Sequence, residues 1–163
     1  PGIPAAMVEK AMPILSYDDP ALAAETVVKL DLPQEVQAGL EGRILKDWSA
    51  KDALAALPWF FEHRAKLKQE EALQNVVALW LKQSPWSLQS YVEQAKPGKD
   101  TDDLILAVMA KVSQQGLADE NGDSSRTSLA GLKRGAAKAM IARLSEPALR
   151  EQAEKNLPPS MAR

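Results

Sequence analysis

The side chains that most often carry enzyme chemistry are scarce in this chain. Its 163 residues include no cysteine and one histidine, His63. That removes thiol nucleophiles, disulfides, Cys-ligated zinc and nearly every His-based metal cage. His63 stands in Glu62-His63-Arg64, beside Trp59-Phe60-Phe61, and read as chemistry it would be a general base tuned by Glu62 among aromatics. Neighbours one apart on a helix point to different sides, however, so Glu62 is badly placed to orient the ring. With no second His or Cys to complete a triad, the expectation is a packed or exposed histidine. Asp100, Asp102 and Asp103 cluster ahead of a helical segment, and Asp119, Glu120 and Asp123 fall in a polar stretch. Counted as an EF-hand from Asp119, the sixth position is Ser124 and the twelfth Ala130, where calcium needs a glycine and a bidentate glutamate. The first cluster is better explained by the partial positive charge of a helix N-terminus. No Gly-x-Ser-x-Gly or Ser-x-x-Lys elbow stands in a fitting context, and the eight glycines are scattered rather than gathered in a phosphate loop. No catalytic residue, metal or cofactor is therefore expected.

Charge and aromatics leave two surfaces to consider. Five bases and no acid lie between Ser124 and Ser145, and Lys133, Arg134 and Lys138 can share one helical face. Such a patch could meet an acidic protein or phosphate. Three bases without interleaved aromatics make a poor nucleic-acid footprint, and the net charge of −2 carries no basic excess. Trp59, Phe60 and Phe61 follow one another at about 100° per residue on a helix, too wide an arc for one core. At least one is expected to meet solvent or a partner, as is Trp86, just after Ser84-Pro85. Large aromatics of this kind anchor protein interfaces. Trp59, Phe60, Phe61 and Trp86 are accordingly the candidate partner-binding residues, and Lys133, Arg134 and Lys138 the candidate basic patch.

The elements that must hold these residues are helices. Ala, Leu, Gln, Glu and Lys dominate, no stretch alternates apolar and polar residues, and apolar residues recur three and four apart. Val36, Leu40, Ile44 and Trp48 form one stripe, Leu73, Val76, Val77, Trp80 and Leu81 another, and Leu104, Val108 and Val112 a third. With 45% apolar and 26% charged residues and no run of about eighteen apolar residues, the chain reads as a soluble, all-α protein without a membrane span. Asp19-Pro20 and Ser84-Pro85 place a capping side chain before a proline at the first helical position. Ser49 with Asp52 approximates a capping box, and Ser145-Glu146 precede Pro147. The expected helices cover 4–16, 20–31, 34–48, 51–67, 69–82, 85–95, 101–117, 128–144 and 147–156, with Pro58 breaking or kinking the fourth. The segment from Ala118 to Thr127 is the long polar loop. Pro1-Gly2-Ile3-Pro4 lacks an initiator Met, a basic leader and a signal-like stretch, and reads as a processed or cut start without a targeting segment.

These helix starts recur. Aligning Pro20, Ala53 and Pro85 gives spacings of 33 and 32 residues, with Pro147 a further 62 along. Around them stand LSYDDPALAA, WSAKDALAA, WLKQSPWSLQS and ARLSEPALREQ. A helix, a capped turn and a second helix every thirty-odd residues is the pattern of a helical-hairpin repeat, because one hairpin cannot bury its apolar face alone. Units of about 4–33, 34–68, 69–98, 99–128 and 128–158 within one domain follow. The glycine and tyrosine of a tetratricopeptide first helix are absent. Trp48-x3-Asp52-Ala53 and Trp80-x3-Ser84-Pro85, with Asp18-Asp19-Pro20-Ala21 and Ser145-Glu146-Pro147-Ala148 behind them, resemble a family of bacterial helical-repeat proteins of Verrucomicrobia and Planctomycetes. Their units read W-x-x-x-D-P-x-x-A-x-x-W. The resemblance implies a stacked-hairpin α-solenoid serving as a scaffold, and carries over no catalytic residue. The leading expectation is thus a non-enzymatic scaffold that binds a protein or peptide. Beside it stand a ligand-binding or enzymatic helical domain using the His63 region, and an adaptor using the basic helix 126–143. Bare apolar ends of such a stack would favour self-association.

Overall fold

The computed structural model describes residues 4–63, 69–115, 132 and 134–157. Among them are eight helices and no strand: α1 (Ala5–Asp18), α2 (Pro20–Val27), α3 (Gln34–His63), α4 (Gln69–Gln83), α5 (Pro85–Gln94), α6 (Lys99–Gln115), α7 (Arg134–Ala142) and α8 (Pro147–Lys155). The protein is all-α, with helix starts close to those the caps and prolines predict. The polar loop from Ala118 to Thr127, with Asp119, Glu120 and Asp123, lies outside the described residues. None of the described helices is long and apolar enough to cross a membrane.

Three one-residue corners punctuate the chain between α1 and α5. At the first, Asp19 leaves helical geometry (φ −138°, ψ 87°), its N–H donates to the Leu15 carbonyl at 2.7 Å, and its Oδ1 accepts from the Leu22 N–H at 3.0 Å. Asp52 does the same inside α3 (φ −152°, ψ 91°), accepting from the Ala55 N–H at 3.0 Å. Ser84 is the third (φ −159°, ψ 88°); its N–H donates to the Trp80 carbonyl at 2.8 Å and its Oγ accepts from the Ser87 N–H at 3.3 Å. Each side chain satisfies one of the orphan donors that a helix start leaves behind. Two expectations are corrected here. The break in α3 lies at Asp52, so Asp52 rather than Ser49 is the cap, and Ser49 is buried within the helix. Pro58, in contrast, leaves the helix continuous: the residue with non-helical backbone angles in α3 is Asp52.

Burial keeps step with the caps. Counting from each capping residue, the positions eleven, seven and three before it and four and eight after it are buried at all three corners. They are Val8, Met12, Ser16, Ala23 and Val27 at the first, Glu41, Leu45, Ser49, Ala56 and Phe60 at the second, and Leu73, Val77, Leu81, Leu88 and Val92 at the third. This is the four-residue spacing that lines up side chains on one helix face. A fully buried Leu, Val or Phe contributes about 1.5–3 kcal/mol, against about 1 kcal/mol for a cap. The buried faces therefore hold the helices together, and the caps set where each face begins.

The chain divides into two compact units, Pro1–Val76 and Val77–Arg163. In the first, α1 and α2 pack on each other and on α3. Ser16 Oγ donates to Asp47 Oδ2 at 2.8 Å, and Lys51 Nζ donates to the Tyr17 carbonyl, joining the end of α1 to the middle of α3. In the second unit α7 packs against α5, α6 and α8, around Leu88, Val92, Leu104, Ile105, Val108, Met140, Ile141 and Leu144.

The fourth corner differs. Glu146 precedes Pro147 but makes no side-chain capping bond (φ −104°, ψ 132°). With Glu146 as reference, the positions seven before and four and eight after are Ala139, Arg150 and Glu154, all exposed. The alignment of Pro147 with the other three anchors is thus not matched by a shared register.

Candidate functional site

The second arm of α3, residues 53–63, carries the aromatic triplet. The Asp52 cap fixes its rotation and sends Phe60, eight residues on, into the core, where it is 1% exposed. Trp59 is also buried, at 8%, whereas Phe61 is half-buried with its ring 5.3 Å from that of Phe60 in an edge-on arrangement. Trp59 and Phe60, expected among the partner-facing residues, are thus packed inward. The arc of the triplet is accommodated because Trp59 lies against Trp48 of the first arm, with ring centres 6.4 Å apart, and against His63, stacked at 4.6 Å.

That stacking also defines the histidine. His63 Nδ1 lies 2.9 Å from the Trp59 carbonyl oxygen. A carbonyl only accepts, so the proton of the neutral ring sits on Nδ1 and Nε2 carries the lone pair. Glu62 is exposed while His63 is half-buried, as the one-residue separation predicts. Among the described residues, no group of three or more His, Asp or Glu side chains could hold a metal ion.

In the second unit, Trp80 and Trp86 flank the Ser84 corner and part ways. Trp80 is buried, and its indole N–H donates to Ser87 Oγ at 2.7 Å across the corner. Its ring centre lies 5.4 Å from that of Tyr91. Burial, and secondarily the negative charge of Asp100, push the Tyr91 phenol above its ordinary value of 10.0. Trp86 is 62% exposed, the only one of the four partner-facing candidates that stands mostly in solvent.

Of the basic patch, Lys138 is exposed on α7. Lys133, and the side chain of Arg134, lie outside the described residues. The nearby Arg143 is engaged within the fold, its Nη2 donating to the Ala95 carbonyl at 2.7 Å. Of the acidic cluster, Asp102 is buried and holds the fourth corner, its Oδ1 accepting from the Ser145 N–H at 2.9 Å and its Oδ2 from the Ser145 hydroxyl. A carboxylate read from sequence as helix-end charge thus fastens a turn 43 residues away.

The structure exposes further large apolar side chains that sequence reasoning passed over: Met7, Ile14 and Tyr17 on α1, Leu22 on α2 and Leu54 on α3. Met7, Ile14 and Tyr17 follow a seven- and three-residue spacing, a helical stripe in its own right. It is hard to separate by pattern from the buried stripe of Val8 and Met12 on the same helix, because both faces are apolar. Leu22, Leu54 and Trp86 lie within three residues after a cap, so each corner presents one of them on its exposed side. Comparison of the chain with protein-family models, with curated proteins and with solved structures gives no match.

Proposed function

We propose that the chain is a non-enzymatic helical-repeat scaffold that binds another protein through the exposed apolar side chains at its corners and at its first helix. The observation that carries this reading is the triple recurrence of one corner: the same backbone conformation, the same side-chain bond to the third N–H, and the same five buried offsets at Asp19, Asp52 and Ser84. Hairpins that recur in register are built to stack, and a stack offers extended surface rather than a deep pocket. In this reading Leu54 and Trp86, at matching positions two residues after their caps, are binding side chains, and the buried Trp59 and Phe60 support the framework beneath.

The test is affinity capture with the full chain, comparing wild type with Trp86→Glu and Leu54→Glu, each checked for helicity by circular dichroism. A defined protein retained by wild type and lost with either variant supports the scaffold. Retention of no protein, together with turnover of a small molecule that disappears with His63→Ala, would replace the scaffold by the enzymatic alternative.

A further inference from the structure

We draw no further inference here: the strongest candidate, the exposed apolar side of α1 formed by Met7, Ile14 and Tyr17, also carries the exposed Lys10 and Asp18, and nothing in the structure shows what covers it.

Discussion

The Ser84 and Glu146 corners begin with nearly the same residues and are held together by different means. At the first, Ser84 directly precedes Pro85 and caps the helix it starts, its Oγ accepting from the Ser87 N–H three residues on. At the second, Glu146 intervenes between Ser145 and Pro147. The serine then lies one residue too early to cap locally, and both its N–H and its hydroxyl donate instead to Asp102. One inserted residue converts a turn closed by its own sequence into a turn closed by a carboxylate from another helix. The local corner is held by a bond spanning three residues, the distant one by a bond spanning 43.

That contrast can be broken at its strongest point first. Asp102→Ala removes the buried carboxylate that accepts both the N–H and the hydroxyl of the exposed Ser145, and is expected to cost about 2 kcal/mol in urea unfolding. Hydrogen exchange should place the loosening in α7 and α8. A double-mutant cycle then tests locality: Asp102→Ala and Ser145→Ala should couple by more than about 1 kcal/mol, whereas Asp102→Ala and Ser84→Ala should add within about 0.5 kcal/mol. Coupling in the second pair would mean that the two corners are not independent. At the Ser84 corner, Ser87→Ala leaves the buried Trp80 indole N–H without its acceptor, with an expected loss of about 1.5 kcal/mol and a change in tryptophan emission. Ser84→Ala should cost about 1 kcal/mol, with Ser84→Asp restoring most of it, since either side chain accepts from the third N–H.

The smallest effect is the pH dependence of Tyr91. Its phenol is raised above 10.0, so folding favours the neutral form. The associated stability is complete below about pH 10 and is lost as the pH climbs through the raised value. Tyr91→Phe should flatten that alkaline decline in the urea midpoint between about pH 9 and 11, and an unchanged slope would assign it to another group.

How much of this could be read from the chain depended on the distance over which each interaction acts. Asp19-Pro20 and Ser84-Pro85 are local signals, and the helices start where those pairs predict. The apolar spacing of Leu73, Val76, Val77, Trp80 and Leu81 likewise marks α4 without any knowledge of its neighbours. The direction of Trp59 and Phe60 was not accessible in the same way. It follows from the cap at Asp52, and the nearby Ser49 offered a competing start. Asp102 stands in the first turn of α6, as its place in the sequence predicts, but its second role is hidden for a related reason: a carboxylate there has a sufficient local explanation, and nothing in the sequence points 43 residues ahead to Ser145. The stripe of Met7, Ile14 and Tyr17 escaped notice because α1 is apolar on two sides, and only burial tells which side the fold uses.

A corner of a single residue has a bearing on how such a chain can change over generations. Between α1 and α2 stands Asp19 alone, and between α4 and α5 Ser84 alone, so neither joint has slack to absorb an extra residue. Adding or deleting one there would rotate the following helix by about 100° relative to its neighbour, turning Val27 or Val92 out of the interior. Small insertions at these joints are therefore expected to be eliminated, unless a distant side chain is at hand to hold the altered turn, as Asp102 holds the one at Ser145.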